Sequence, residues 1–311
     1  MHQALAAFIG GSLIGLASII NLKLKGRLAG MSRLVYHNFF KDFDAHYFCL
    51  LLGMLGVGSL KPLVDSSLGE ESVEDLSTVG YVVAGALVGF GGRLGGGCTS
   101  GHGVCGLPRF SKRSWAAVCT FLPVAIITAN LVYRGEAPSK APLASQSGIN
   151  RTVLPLVSLV AVAAAVGYIL NKYPQKRNDV IVGLSVGAIF ATGLCVAGMT
   201  QRSKVLGFLV LSANWDYSLL IVLGSAVGIN AVVYPLVLSK PPLMASKHDI
   251  PASTPIDAKL IIGSAIFGAG WGLAGICPGP LYVLFPRFVP QISTFAASVV
   301  FGQYAFEKIN P

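Results

Sequence analysis

The chain has 311 residues, of which 53% are hydrophobic and only 12% are charged, and its mean hydropathy is +0.68. A soluble domain usually carries about 25% charged residues, so this composition excludes an ordinary soluble protein and predicts an integral membrane protein. The net charge of +10 does not indicate a nucleic-acid partner, because the bases stand at the edges of apolar segments, where loop charges and interface anchors are expected.

Nine apolar segments follow one another along the chain, each long enough to be a candidate transmembrane helix. They cover residues 3–22, 45–62, 77–93, 113–133, 153–171, 179–199, 216–238, 258–276 and 290–306. The sequence therefore predicts an all-α integral membrane protein with about nine transmembrane helices. The N-terminus has neither the basic cluster nor a clear cleavage site of a signal peptide, so we expect the first segment to be retained.

The loops between these segments differ in charge. Loops 23–44, 94–112 and 172–178 are basic, whereas loop 63–76 holds five acidic residues and no basic one. The positive-inside rule then places the basic loops in the cytoplasm and the N-terminus outside, with the protein in the plasma (inner) membrane. Loop 134–152 also carries bases, which runs against this alternation.

The chain contains an internal echo. Residues 29–32 read AGMS and residues 197–200 read AGMT. When Cys98 is placed on Cys277, three glycines before the first cysteine fall on three glycines before the second, namely Gly89, Gly91 and Gly96 on Gly268, Gly270 and Gly275. Five predicted spans separate equivalent points, and an odd number inverts the second half. We therefore expect one membrane domain over 1–311 with an inverted pseudo-twofold repeat: a first half at 1–135, a connector with one span at 136–177, and a second half at 178–308.

Both echoed stretches interrupt an apolar segment at a cysteine. The first, GGRLGGGCTSGHGVCGL (91–107), holds eight glycines, and the second, GWGLAGICPGPLY (270–282), holds two prolines that stop a helix. Irregular backbone at membrane depth is tolerated only where it is buried in protein or lines a cavity. We therefore expect short re-entrant helices whose N-termini suit an anion.

Other roles for these cysteines are less well supported by the sequence. A zinc site needs about four closely spaced ligands, and a nucleophilic Cys98–His102 pair has no nearby carboxylate to orient it. Simple apolar packing explains Cys49 and Cys119, which lie in ordinary apolar segments, but not Cys98. We expect no metal and no cofactor, and the chain has no P-loop for direct use of ATP.

Three stretches of the chain, in order, resemble signatures of the YeeE/YedE-type sulfur transporter family. They are GFGGRLGGGCTSGHGVCGLPRFSKRS (89–114), GMTQRSKVLGFLVLSANWDYSLL (198–220) and FGAGWGLAGICPGP (267–280), and the resemblance covers nearly the whole chain. The family usually has a proline near position 202, which this chain lacks. The resemblance implies a thiosulfate uptake protein with nine spans, short re-entrant helices, an inverted repeat and a central path of cysteines.

The candidate substrate-binding residues combine this resemblance with the reading of the residues themselves. The family motifs imply Cys98 and Cys277, with Cys195 as a third thiol and Cys105 as a weaker one. Arg93, one helical turn before Cys98, either attracts an anion or anchors the interface, and His102 either binds the anion or caps a carbonyl group. The complete candidate set is Cys98, Cys277, Cys195, Cys105, Arg93, His102, Gly97 and Gly275.

The sequence thus predicts a transporter rather than an enzyme. The expected partners are the thiosulfate ion, the lipid bilayer and, as the family suggests, a cytoplasmic rhodanese or sulfur-carrier protein. Two alternatives stay open at this point. One is a membrane-embedded sulfurtransferase that forms a cysteine persulfide, and the other is a pore for another small sulfur or selenium solute.

Overall fold

The chain is mostly helical in the part described by the computed structural model, which comprises residues 2–32, 34, 38, 40, 43–64, 76–134, 148–213, 215–250, 255–287 and 289–309. These residues contain eleven α-helices and no β-strand. The helices are α1 (His2–Lys25), α2 (Ala45–Val64), α3 (Thr78–Leu94), α4 (Lys112–Tyr133), α5 (Gly148–Lys172), α6 (Arg177–Val196), α7 (Arg202–Leu209), α8 (Ser218–Leu238), α9 (Ala258–Ala274), α10 (Pro278–Leu284) and α11 (Pro290–Ile309).

Each of the nine predicted apolar segments corresponds to one long helix, so the all-α prediction is confirmed. By length and composition, five helical stretches of the described residues can cross a membrane. They are α1, α3 extended to Val104, α4, α6 and α8. A sixth is counted if α9 and α10, which are bent by 40° at their junction, form one broken span. Nine spans therefore stay a prediction.

Several helices begin at a side-chain cap. Ser77 accepts a hydrogen bond from the Gly80 amide at the start of α3, and Asp257 accepts one from the Leu260 amide at the start of α9. Such caps satisfy amide groups that lack a partner in the first helical turn. They fix where these two helices start.

Glycines let the two central pairs of helices touch backbone to backbone. On α3, a Cβ at Gly91 would lie 2.3 Å from the Phe267 amide nitrogen of α9, and one at Gly270 of α9 would lie 2.7 Å from the Ala84 carbonyl oxygen of α3. Because the residue numbers run in opposite senses, α3 and α9 are antiparallel. Close contact at small residues is the usual means of packing helices in a membrane.

Helices α1 and α6 form the second central pair and are also antiparallel. A Cβ at Gly10 of α1 would lie 2.6 Å from the Gly193 carbonyl oxygen of α6, and Lys25 at the end of α1 pairs with Asp179 at the start of α6. The outer pairs run parallel instead. Gly183 and Gly187 of α6 face His46 and Leu50 of α2 in the same order along both helices.

The other long helices also pack against one another. Helix α1 packs on α8, α2 packs on α5 and α6, α3 packs on α11, and α4 packs on α9. The buried apolar side chains accordingly form two main clusters. One is built on α1, α2, α6 and α8, and the other on α3, α4, α7, α9 and α11.

A small ionic cluster lies just beyond the end of α1. Arg27 donates a hydrogen bond to Asp44, which precedes α2, and also approaches Asp249 to 3.8 Å. Burial disfavours the Asp44 carboxylate, but the charge and hydrogen bond of Arg27 outweigh it and lower the pKa of Asp44. The acidic loop on which the predicted orientation depends lies mostly outside the described residues, at 65–75. The orientation therefore stays a prediction.

Candidate functional site

The two interrupted segments of the sequence fold in corresponding ways. Helix α3 ends at Leu94, and residues 95–98, which we call the Cys98 break, lead to a π-helix at Thr99–Val104. Helix α9 ends at Ala274, and residues 275–277, the Cys277 break, lead to α10. Each cysteine occupies the position just before its short helix.

The backbone at the two breaks is also alike. Gly96 and Gly275 adopt positive φ angles of 74° and 67°, a region that glycine occupies without strain. The carbonyl groups of Cys98 and Cys277 each accept an early amide of the helix that follows, at 2.9 and 3.1 Å. Beyond each break, the echoed tripeptides Leu107–Arg109 and Phe285–Arg287 both form short 3-10 helices. The similar sequence stretches thus also have similar local structure.

Polar side chains brace the Cys98 break. The His102 ring contacts the Gly95 carbonyl oxygen through Nε2 at 3.1 Å and the Ser114 hydroxyl through Nδ1 at 3.2 Å. A Cβ at Gly97 would lie 2.8 Å from this ring, so only glycine leaves it room. The Cys98 thiol lies 3.2 Å from the Ser100 hydroxyl. His102 therefore caps a carbonyl group, and its role in binding an anion stays a prediction.

The Cys277 break has different surroundings. The Cys277 thiol lies near the side chain of Thr99, which directly follows Cys98 in the chain. The indole N–H of Trp271 is near the same thiol but makes no hydrogen bond of normal geometry. Pro278 and Pro280 lack amide hydrogens, so the first turn of α10 offers few free N–H groups to an anion. The expected anion site at a helix N-terminus is therefore weak on this side.

The backbone of Met31 joins the two breaks. Its amide donates to the Ser100 hydroxyl at 3.1 Å, and its carbonyl oxygen accepts the Tyr282 hydroxyl at 3.2 Å. Ser100 belongs to the π-helix after Cys98, and Tyr282 belongs to α10 after Cys277. The AGMS stretch of the sequence therefore holds the two short helices in register with each other.

A cavity of about 120 Å³ lies where these elements meet. Its walls come from α1, α4, α6, α7, α8 and α9 as well as from both short helices, and most of them are apolar. The polar and sulfur-bearing side chains on the wall are those of Met31, Thr99, Ser100, Met199, Trp271 and Cys277. Among the described residues that line the cavity, Cys277 is the only cysteine.

The other candidate thiols lie outside this wall. Cys98 is 1% exposed and directly precedes Thr99 and Ser100, which line the cavity. Cys105 is fully buried beside the hydroxyl of Ser18, 3.1 Å away. Cys195 is half-buried in the last turn of α6. The structure thus places Cys98 and Cys277 near each other, and it places Cys105 and Cys195 in other surroundings.

The charged and glycine candidates have structural partners of their own. Arg93 is paired with Glu307 of α11, with Nε 3.0 Å from Oε1, and its guanidinium lies 5.5 Å from the centre of the Phe306 ring. Gly275 packs against α7, because a Cβ there would lie 2.7 Å from the Leu206 side chain. A role for Arg93 in attracting an anion stays a prediction.

Two buried bases were not predicted from the sequence. We expected the basic residues at the edges of apolar segments, but Arg202 and Lys204 on α7 are only 4% and 9% exposed. The expectation fails for this pair because α7 is a short helix packed inside the protein, where the bases reach backbone carbonyl groups. Their only signal was two bases in a short stretch between predicted spans.

Two families match the chain in separate regions. Residues 69–128 match a family described as sulphur transport, and residues 178–310 match a family of unknown function. These regions fall one in each predicted half.

Curated relatives are shorter proteins named as probable transporters. One from Xylella fastidiosa strain Temecula1 is 38% identical over 133 residues, which are 41% of this chain and 88% of the relative. A second from the same strain is 37% identical over 127 residues, which are 40% of this chain and 91% of that relative. A relative from strain 9a5c is 38% identical over 133 residues, 41% of this chain and 89% of its own length.

These matches agree with the motifs around Cys98 and Cys277 and with the helical fold that holds them. The chain belongs to the YeeE/YedE-type sulfur transporter family.

Proposed function

We propose that this protein takes up thiosulfate across the plasma membrane through the cavity between its two predicted halves, with Cys277 and Cys98 as the thiols that meet the ion. The observation that carries the proposal is that Cys277 lines a cavity whose walls come from both halves. Substrate sites of transporters with repeated halves commonly lie at such a position.

The packing pattern supports an inverted repeat. In such a repeat, helices at corresponding places in the two halves run in opposite directions. Helices α3 and α9, which precede the two breaks, meet in an antiparallel pair, and so do α1 and α6, which precede the AGMS and AGMT stretches. The pairs of α1 with α8 and α2 with α6 correspond under the same relation, and so do those of α3 with α11 and α4 with α9.

The chemistry of the wall suits a soft anion. Thiosulfate carries two negative charges and an exposed terminal sulfur, and thiol and hydroxyl groups can donate weak hydrogen bonds to it. Cys277 and Thr99 offer such groups on the wall, and Cys98 directly precedes Thr99 in the chain. Weak contacts also allow release, which transport requires. In this proposal the protein has nine spans, its N-terminus lies outside, and a cytoplasmic rhodanese or sulfur-carrier protein receives the ion.

Transport is tested with the purified chain in proteoliposomes. We expect saturable entry of 35S-labelled thiosulfate, and we expect growth on thiosulfate when the chain is expressed in a sulfur-limited host without other uptake routes. Vesicles without protein are the control. Absence of both entry and growth, with the protein correctly inserted, would overturn the proposal.

The same preparation separates transport from sulfurtransferase activity and from another solute. A sulfurtransferase thiolate would take the terminal sulfur as a persulfide and release sulfite, which adds one sulfur atom to the protein mass. Transport predicts an unmodified mass after exposure to thiosulfate. Competition by unlabelled sulfite or selenium compounds stronger than that by thiosulfate would instead identify a different substrate.

A further inference from the structure

The cavity presents an electrostatic problem for the proposed substrate. Most of its wall is apolar, and an isolated charge in such surroundings is very unfavourable. A doubly charged ion therefore needs positive charge close to the wall. The nearest candidate from the sequence, Arg93, is engaged with Glu307.

Helix α7 brings two basic side chains into the interior. Arg202 donates from Nε to the Ala274 carbonyl oxygen at 2.7 Å, and its guanidinium lies 5.5 Å from the centre of the Tyr133 ring. Lys204 donates from Nζ to the Ala197 carbonyl oxygen at 3.3 Å. Buried bases within a membrane protein are costly and usually mark a functional site.

The carbonyl groups that these bases contact lie at two helix ends beside the cavity. Ala274 is the last residue of α9, directly before the Cys277 break, and Ala197 follows the last residue of α6, two residues before Met199. A cation is favoured at a helix C-terminus, where the carbonyl groups carry partial negative charge. The two bases therefore help to hold the segments that carry Cys277 and Met199 to the wall.

The helix that carries both bases also lines the cavity. Val205 and Phe208 of α7 line the cavity, and Lys204 is the neighbour of Val205 in the chain. Arg202 is three residues from Val205, a rise of roughly 4.5 Å along the helix. Both bases thus belong to the short helix that supplies this part of the wall.

A direct hydrogen-bond donor is present on the same wall. Trp271 is 3% exposed and lines the cavity, and its indole N–H has no hydrogen-bond partner of normal geometry among the described residues. A buried donor without a partner is unfavourable, and a ligand that accepts from it relieves this cost. Trp271 lies three residues before Ala274, whose carbonyl oxygen binds Arg202.

We propose that Arg202, Lys204 and the indole N–H of Trp271 form the anion-recognition face of the cavity, and that this face selects doubly charged oxyanions over singly charged anions. This inference rests on the proposed transport function and names the residues that balance the charge of its substrate. The indole N–H binds the ion directly, while the two bases act through their electric field.

The test measures binding to the intact, detergent-purified chain of two dianions, thiosulfate and sulfate, and one monoanion, thiocyanate. We expect Lys204→Gln and Arg202→Gln each to weaken dianion binding roughly tenfold, with a smaller effect on thiocyanate, because the attraction scales with ligand charge. Lys204→Arg keeps the charge and should retain binding. Trp271→Phe should weaken all three ligands a few-fold, about the effect of one hydrogen bond.

Lys240→Gln is the matched control, because it removes the same charge from an exposed position after α8. Thermal unfolding identifies variants that fail to fold. If the glutamine variants do not fold, anion binding is compared between Lys204→Arg, which should retain it, and Trp271→Phe, which should weaken it. Equal loss of all three anions in Lys204→Gln would indicate a purely structural role and overturn the inference.

The outcomes also distinguish this inference from the proposed function. If thiosulfate binds equally well to the wild type and to folded Lys204→Gln and Arg202→Gln, the recognition face is wrong while thiosulfate transport stands. If the wild type binds sulfate but not thiosulfate, and the bases control that binding, the proposed substrate is wrong while the recognition face stands. If no dianion binds, both are wrong.

Discussion

The Cys98 break and the Cys277 break share a backbone design but differ in what surrounds the thiol. Both contain a glycine with positive φ, and both place a cysteine before a short helix. Yet Cys98 is buried beside the Ser100 hydroxyl, whereas Cys277 lines the cavity. The comparison teaches that a repeated motif can set the position of a residue while distant side chains set its exposure and hence its role.

Substitution of the thiols is expected to have the largest effect on uptake. Alanine at Cys277 or Cys98 should abolish thiosulfate entry, on the order of 100-fold or more if each thiol meets the ion in transit. Serine should separate the two positions, because a hydroxyl at 98 keeps the contact with Ser100 while a hydroxyl at 277 replaces the soft group on the wall. Initial rates in proteoliposomes at equal protein content measure this. Equal loss in both serine variants would contradict the difference between the breaks.

The two glycines with positive φ should differ in their effect on stability. Alanine at either position costs about 1–2 kcal/mol for the left-handed backbone. At Gly275 the new Cβ would also lie 2.7 Å from Leu206, whereas at Gly96 the nearest atom is 3.4 Å away in Arg113. Gly275→Ala should therefore unfold at a lower temperature than Gly96→Ala in a detergent melting experiment. The reverse order would show that the Cys98 break accommodates an added Cβ less well than the Cys277 break.

Removal of the imidazole should affect the Cys98 break and leave the Cys277 break intact. His102→Ala removes contacts to Gly95 and Ser114, and loss of buried hydrogen bonds costs about 1–3 kcal/mol. In the alignment of the two cysteines, the position equivalent to His102 is Leu281, which cannot form such contacts. We expect lower thermal stability with substrate affinity nearly unchanged. A large loss of affinity at unchanged stability would assign His102 to binding instead.

Two cysteines outside both breaks should have the smallest effects. Cys49 packs in an apolar cluster with α5, and Cys119 is exposed on α4. Alanine at either position should change the uptake rate by no more than about twofold, as is usual for positions away from a site. The same uptake assay tests both. If they behaved like Cys277→Ala, the special role of the breaks would be lost.

Much of this fold could be predicted from the sequence, because the relevant signals are local. Runs of apolar residues identified the nine long helices, and glycine or proline beside a cysteine identified both breaks. The similar tripeptides around Pro108 and Pro286 also form the same local structure.

The surroundings of the site could not be predicted, because they depend on residues far apart in the chain. Arg93 pairs with Glu307, which is 214 positions away in the chain, and Arg202 donates to the Ala274 carbonyl group, which is 72 positions away. No local pattern reports either contact. For the same reason, the sequence could not tell that Cys277 rather than Cys98 lines the cavity, since the wall is assembled from helices that are far apart in the chain.

The most direct test of the account is an experimental structure of the intact protein at saturating thiosulfate. We expect density for a tetrahedral anion in the cavity, in contact with the Cys277 thiol and the Trp271 indole N–H on the side of α7. An empty cavity under conditions of measured thiosulfate binding, or density at another place in the protein, would contradict the account.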